Sequence, residues 1–307
     1  MPENFQFKIE ETVKKARLDK FLFGQITTHS KIYLSNLIGK GECRVNGAAG
    51  LAGYHLKKDD VVEIAFDLSA VTSMKPEAIS LKVVFEDDAL IVIDKPAEML
   101  VHPTLGQKNG TLLNALSYYL NKDLINSQAE TKQNYSKFIR PGLVHRLDRQ
   151  TSGLMVIAKT PESLSFLSNH FQRKIVKKKY IAVVEGEISE DSGTIGELIG
   201  YFEEQKSWNV KADGKTAETK FQVLKRFSGK TVLELEPVTG RTNQLRIHCA
   251  YIGHPIIGDE RYNGRKFSRL CLHAQKLGFY HPSTNIWTEF AIEIPTELKQ
   301  LAESQDL

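Results

Sequence analysis

Apolar residues recur along the chain with two different periods, and the change of period marks its elements. Val13, Leu18, Phe21, Leu22 and Ile26 fall at roughly helical spacing, and Ile32, Leu34, Leu37 and Ile38 repeat it. Ser30 is placed to cap the second helix, with Gly39 or Gly41 as its stop. ECRVNG at 42–47 then predicts a short strand entering an Asn46–Gly47 turn, and DDVVEIAF at 59–66 an alternating strand. The stretch 69–79, SAVTSMKPEAI, is small and polar, contains Pro76, and is assigned as a linker.

From Leu81 onward strands predominate. They are predicted in LKVVFED (81–87), ALIVIDKP (89–96), GLMVIAKT (153–160), KYIAVVEG (179–186), KTAETKFQVLKRF (215–227), KTVLELEP (230–237) and IWTEFAIEI (286–294). Two helical patterns interrupt them, TLLNALSYYL (111–120) and SLSFLSNHFQRK (163–174). The stretch 121–138 is polar and is expected to be a surface loop. Many short strands with few helices predict an α+β class. The expected organisation is a small α/β module over 1–68, the linker over 69–79, and a mixed, mainly antiparallel sheet domain flanked by helices over 80–307.

Composition narrows this little. With 307 residues, 41% apolar and 25% charged, the chain has enough material to bury a core and is no disordered or collagen-like sequence. Apolar runs stop at about five residues, as at 89–93, far short of a membrane span. The N-terminus has no apolar stretch of the secretory kind. Cys43, Cys249 and Cys271 are too scattered for a disulfide framework or a metal site and are expected to be reduced thiols, which suits the cytoplasm.

Charge is more informative. The net value is only +4, but 140–180 carries nine Lys/Arg against two acids, and 241–269 carries six against two. Between them, 185–210 has seven acids and one lysine. The two basic segments either meet as one face that attracts polyanions or remain two solvated faces.

Four segments hold candidate chemistry. In RPGLVHRLDRQTSGLMVIAKT (140–160), Asp148 sits amid Arg146 and Arg149 before an apolar strand. Such a carboxyl is expected to stay ionised with a lowered pKa, which suits a nucleophile or base; a turn aspartate paired to a surface arginine is the other alternative. In LELEPVTGRTNQLRIHCAYIGHPIIGDERY (233–262), a strand and a Gly-Arg turn lead into a predicted helix carrying Arg246, His248 and Ala250. Arg241 and Arg246 offer planar forks to carboxylate or phosphate, while His248 and His254 lack the spacing of a helical metal pair. In RLCLHAQKLGFYHP (269–282), Leu270, Leu272 and Ala274 alternate as in a buried strand. In QRKIVKKKYIAVVEG (172–186), cations precede Tyr180, either as a stacking site for a base or as a strand start at the core edge.

Together, in this order, the four segments resemble the RluA/RluD-type pseudouridine synthases over about residues 80–295. The likeness is carried by His145-Arg146-Leu147-Asp148-x-x-Thr151-Ser152-Gly153-Leu154. It is carried equally by Thr239-Gly240-Arg241-Thr242-x-Gln244-Leu245-Arg246-x-His248 with Gly253-His254-Pro255 and Gly258-Asp259. Asp94-Lys95-Pro96 and Val101-His102-Pro103 also match family signatures. The first module is similar to the S-four RNA-binding domain, through Arg17-Leu18-Asp19-Lys20-Phe21-Leu22 and Val45-Asn46-Gly47. One position departs: Asn243 stands where the family usually has histidine, so the side chain keeps its hydrogen bonding but does not titrate near neutral pH.

The resemblance implies isomerisation of a uridine within RNA without cofactor or metal: the base leaves the sugar, turns, and rejoins through carbon 5. Asp148 is then the essential carboxylate, by attack on carbon 1′ or by abstraction of a proton from carbon 2′; both need the ionised form. Arg246 is expected to pair with Asp148, Tyr180 to stack on the uracil, and Leu272 to pack beneath the ring. Arg146 is expected to fill the space the flipped base leaves, with Arg241 and Thr151 also on the substrate side. Lys177, Lys178 and Lys179, and in the first module Lys31, Lys40 and Arg44, are assigned to RNA. The expected partner is structured RNA, ribosomal before transfer RNA, and the expected state is a monomer. Two other classes compete. A non-catalytic ribosome-assembly factor would have no need of Asp148, and a glycoside hydrolase would use two carboxylates, whereas no second acid is assigned beside Asp148.

Overall fold

The computed structural model describes residues 3–10, 16–26, 29, 31–66, 75–126 and 138–304. These fall into two compact units, Met1–Ser80 with His102–Pro141, and Leu81–Val101 with Gly142–Leu307. Val13, Ser30 and the first part of the expected linker, 69–74, lie outside the described residues.

In the first unit a four-stranded antiparallel sheet carries β1 (Glu3–Lys8), β2 (Cys43–Val45), β3 (Ala48–Ala49) and β4 (Val61–Phe66), in the order β1-β4-β2-β3. Helices α1 (Leu18–Gln25) and α2 (Lys31–Gly39) bring Leu18, Leu22, Leu34 and Ile38 to a core shared with Cys43, Val62, Ile64 and Phe66. Strand β4 alternates buried and half-buried positions, as a sheet with one covered face requires. The same unit holds α3 (Leu112–Tyr119), capped reciprocally by Thr111 and Asn114, and α4 (Lys122–Asn126). Residues 75–79 are tied to this region. Asn114 donates to the Lys75 carbonyl at 2.9 Å, and Glu77 accepts from the Gly110 amide at 2.9 Å.

The expected surface loop over 121–138 is corrected at its start. Asn121 is buried, its amide donates to the Ser117 and Ile139 carbonyls, and it accepts from the Ile139 N–H at 2.7 Å. One polar side chain thus anchors both ends of the segment, a role that mean polarity does not reveal. Residues 127–137 lie outside the described residues.

The second unit is built on a ten-stranded sheet. Its strands are β5 (Lys82–Glu86), β6 (Leu90–Lys95), β7 (Gly142–Leu143), β8 (Ser152–Ala158), β9 (Lys177–Glu185), β10 (Ser192–Ile195), β14 (Thr219–Phe227), β15 (Lys230–Pro237), β16 (Leu272–Tyr280) and β17 (Trp287–Ala291). A side sheet holds β11 (Leu198–Phe202), β12 (Ser207–Val210) and β13 (Lys215–Thr216). The main order is β10-β14-β15-β9-β16-β8-β6-β5, with β17 on β16 and β7 on β8. Every pairing is antiparallel except β16 with β8. Strands β6 and β8 are near-continuous apolar runs because both faces are covered. Helices α5 (Pro161–Gln172), α6 (Gln244–Tyr251) and α7 (Thr296–Glu303) flank the sheet.

Two glycines set the approach of the segments that matter below. Gly153 has φ +118°, and a Cβ there would stand 2.3 Å from the Ala274 carbonyl oxygen, so β8 meets β16 only without a side chain. Gly258 has φ +83°, and a Cβ there would lie 2.0 Å from the Arg269 carbonyl oxygen.

Candidate active site

A cavity of about 620 Å³ opens in the second unit. Its walls come from three stretches distant in sequence: 144–151, 171–180 and 236–246, with Lys220 and Leu272 added. The two basic segments therefore do converge. Arg146, Lys174, Lys177, Lys178, Lys220, Arg241 and Arg246 all line it.

Asp148 is reached through a tight turn that follows the short strand β7. Within it, the Thr151 N–H donates to the Asp148 carbonyl at 3.2 Å, and β8 begins directly after. The carboxylate is 23% exposed, enough to meet a substrate and little enough to lose much of its hydration. Arg246 projects from α6, with one Nη 3.9 Å from an Asp148 oxygen.

Arg246 reaches Asp148 at ion-pair distance, as expected, but it is held mainly by another residue that the sequence reading did not assign. Its Nε and second Nη donate to the two carboxylate oxygens of Asp259, each at 2.6 Å, and both side chains are buried. A fork-to-fork pair of this kind fixes the guanidinium plane, leaving the third nitrogen for Asp148. A second acid therefore does accompany Asp148, one guanidinium away. Asp259 is fully buried with both oxygens committed, so the two carboxylates do not flank a shared bond as in a glycoside hydrolase. The sequence cue is the acid one glycine beyond the apolar Pro255-Ile256-Ile257 run, where an unpaired charge would be costly.

Tyr262, on a single 3-10 turn over Glu260–Tyr262, lies beneath the guanidinium with 5.2 Å from its ring centre to Cζ. Its hydroxyl accepts from Asn243 Nδ2 at 2.9 Å and donates to the Trp208 carbonyl at 2.9 Å. Asn243 sits at φ +54°, a left-handed conformation that asparagine tolerates. Gln244 is fully used. It accepts from Thr239 at 2.6 Å and the Arg241 N–H at 3.0 Å, and donates to the Glu218 carbonyl and Thr219 hydroxyl. That network freezes the Gly-Arg turn, and Arg241 then donates to the Thr216 carbonyl at 3.0 Å while facing the cavity.

Tyr180 and Leu272 are diagonal neighbours on one face of the sheet, since Tyr180 opposes Ala274 and Ala182 opposes Leu272. Both are buried and line the cavity. The Tyr180 hydroxyl has no hydrogen bond among the described residues. Burial, then the Asp148 charge, pushes its pKa well above the usual phenol value, so it stays protonated. Thr151 also lines the cavity, its hydroxyl buried without a partner among the described residues. Arg146 is exposed at the rim and makes no hydrogen bond or ion pair among the described residues.

Lys177 and Lys178 border the cavity, but Lys179 does not. Lys179 binds Glu234 instead, at 2.5 Å. Lys31, Lys40 and Arg44 are exposed on the first unit. Lys174, from the cationic segment 172–186, and Lys220 are further cavity cations beyond the lysines assigned to RNA. Among the described residues no group of three or more His, Cys, Asp or Glu could hold a metal ion.

The direction of the Asp148 shift also corrects the sequence expectation. Burial raises its pKa, and Arg246 and Arg146 offset this only in part. Adjacent cations in the sequence suggested the opposite, because desolvation is a property of the fold. A carboxyl raised in the folded state binds more protons there than in the unfolded chain. Its contribution to stability is therefore lost as pH rises through the folded pKa. Asp148→Asn is accordingly expected to melt at a higher temperature than the wild type near pH 7, with the gap closing as pH falls. Thermal unfolding across pH checks this; an equal or lower melting point near neutrality would contradict it.

With this geometry in view, similarity to known proteins is informative. Residues 89–251 match the family described as RNA pseudouridylate synthase. The chain is 38% identical over 298 residues to an uncharacterized RNA pseudouridine synthase, YlyB, of Bacillus subtilis (strain 168), covering 96% of this chain and 95% of that one. It is 34% identical to the ribosomal large subunit pseudouridine synthase D of Pseudomonas aeruginosa, over 92% of this chain and 89% of the relative. Among solved structures, human RNA pseudouridylate synthase domain containing 1 superposes with a TM-score of 0.56 at 25% identity, covering 72% of this chain and 86% of that one. The chain thus belongs to the RNA pseudouridylate synthase family, enzymes that isomerise uridine to pseudouridine within RNA.

Proposed function

We propose that the enzyme modifies uridines of large-subunit ribosomal RNA, using Asp148 as the reacting carboxylate. The observation that carries the site is the partly exposed Asp148 oxygen facing a cationic cavity and aimed by an immobilised Arg246. The RNA class rests on relatives named for the ribosomal large subunit that align over more than nine-tenths of the chain.

A uridine inside folded RNA must leave its stack to reach this carboxylate, at a cost of a few kcal/mol. Phosphates are drawn by Lys174, Lys177, Lys178, Lys220 and Arg241, and Arg146 takes the vacated space. Uracil lies between Tyr180 and Leu272, with Thr151 behind the sugar. The ionised Asp148 either attacks carbon 1′ or takes a proton from carbon 2′, and Arg246 stabilises its charge as the sugar–base bond opens. Tyr180, still protonated, relays the carbon 5 proton after the base has turned, taking it up as its own hydroxyl proton passes to water.

Residues 1–68 act as an S-four-like RNA-binding domain through Lys31, Lys40 and Arg44, joined by 69–79 to the catalytic domain over 80–307. The enzyme works as a cytoplasmic monomer; its three cysteines, buried and free, suit a reducing compartment. No helix among the described residues is long and apolar enough to cross a membrane.

The test is to incubate the protein separately with unmodified large-subunit ribosomal RNA and with a transfer RNA pool, and map pseudouridine at single-base resolution. New sites in the ribosomal RNA are expected, and sites confined to transfer RNA would overturn the substrate class. Tyr180→Phe is expected to keep RNA affinity within about threefold and lower the single-turnover rate about 10²-fold. An unchanged rate would remove the hydroxyl from the chemistry and leave stacking alone.

A further inference from the structure

Lys95 ends β6 with a side chain that solvent does not reach, at 0% relative exposure. An ammonium buried so completely needs partners for its charge and for three N–H donors. No carboxylate comes within ion-pair distance of it among the described residues. Instead Nζ donates to three backbone carbonyls, Pro96 at 2.7 Å, Met99 at 3.0 Å and Arg149 at 3.3 Å. The first two bracket the loop that follows β6. The third belongs to the residue joined to Asp148.

We infer that Lys95 is a positioning residue whose ammonium ties the Arg149–Gln150 peptide, in the turn next to Asp148, to the 96–99 loop and so fixes where the Asp148 carboxylate points. The inference rests on Asp148 being the reacting carboxylate. Three donors meet three acceptors only while the amine is protonated. A neutral amine has two N–H donors, so losing the proton strands one buried carbonyl. The Arg149 contact, the longest of the three, is the one released, and the turn that carries Asp148 loosens with it.

The surrounding charges come from every element packed on Lys95. Asp148 on the turn, Glu98 on the loop and Asp94 on β6 favour the ammonium, and Arg269 opposes it. Burial outweighs them and pushes the lysine down to about 8. Between that value and the ordinary lysine value, roughly 10.4, the unfolded chain binds more protons than the folded one. This group therefore makes stability rise with pH across that window. Rate lost through Lys95 on the alkaline side is lost from a folded enzyme, which separates positioning from a merely structural role.

The experiment compares the full-length wild type with Lys95→Arg and Lys95→Met, on a large-subunit ribosomal RNA transcript tritiated at uridine carbon 5. Single-turnover rate, RNA affinity and melting temperature are followed from about pH 6 to about pH 9.5, a range that brackets the expected limb. The wild-type rate is expected to fall above about pH 8 without a fall in melting temperature. Lys95→Arg, which cannot deprotonate, is expected to lose that alkaline limb and keep at least about a tenth of the neutral rate. Lys95→Met is expected to lose about 10²-fold in rate with RNA affinity within about threefold. An alkaline limb at the same pH in Lys95→Arg, no limb in the wild type, or a folded Lys95→Met at wild-type rate would each overturn the inference. If Lys95→Met does not fold, the limb in Lys95→Arg decides alone. Asp148→Asn runs alongside: its activity would refute Asp148 as the reacting group. A dead Asp148→Asn beside Lys95 variants that match the wild type would refute only the lysine inference.

Discussion

Asp148→Asn is expected to abolish isomerisation, by at least about 10⁴-fold, while RNA still binds. The substitution is nearly isosteric and keeps a hydrogen-bonding oxygen, but removes the charge that both candidate first steps require. Among the described residues no other cavity-lining carboxylate lies within ion-pair distance of Arg246. Asp259 is the nearest carboxylate tied to the same arginine, and its two oxygens are held by the Arg246 fork away from the cavity. The substitution leaves in place the cations that line the cavity, to which the proposal assigns the RNA phosphates. Tritium release from carbon 5 gives the rate, and filter binding gives the affinity. A variant that loses binding and rate together would show that Asp148 organises the cavity instead of reacting.

Asp259→Ala is expected to damage the enzyme nearly as severely, for a different reason. The Arg246 guanidinium is buried, and although burial works against its charge, its hydrogen bonds to Asp259 and its attraction to that carboxylate outweigh this. Removing the carboxylate strands that cation, which costs about 3–5 kcal/mol of stability. It also frees the guanidinium to turn toward Asp148, its remaining anionic neighbour at 3.9 Å. A direct contact there would cover the oxygen that must react, so the rate should fall even at temperatures where the variant is folded. Replacing both partners, as Arg246→Met with Asp259→Leu, should restore much of the stability and none of the activity, since like-sized apolar groups need no countercharge. Denaturant unfolding of the two single variants and the double variant checks the energetics. Additive losses would contradict a coupled pair.

Much of this site is legible in the order of residues alone, because the chemistry demands unusual side chains in fixed places. Asp148 amid arginines, the Gly240-Arg241 turn and Tyr180 after a run of lysines mark three walls of one cavity. The apolar runs at 89–93 and 153–158 give inner strands because both of their faces are covered. Strands β11 and β12 escape notice for the opposite reason. They are five and four residues long, hold Gly200 and Asn209, and derive their order from Trp208 and Ile199 packing against Tyr262 and Ile247. The partner of Arg246 was hidden by distance: Asp259 lies thirteen residues on, past the end of a helix, and only the return of the chain brings it beneath the guanidinium. Desolvation of Asp148 and the triple carbonyl cage of Lys95 are likewise properties of packing, which adjacency along the chain does not encode.

The most direct test of the account is single-base mapping of pseudouridine in unmodified large-subunit ribosomal RNA treated with wild type, Asp148→Asn or buffer. The account predicts defined new sites with the wild type and none with Asp148→Asn, in samples where both proteins are shown to bind the RNA. Sites that persist with Asp148→Asn would contradict it, because the isomerisation would then proceed without the carboxylate around which the cavity is built.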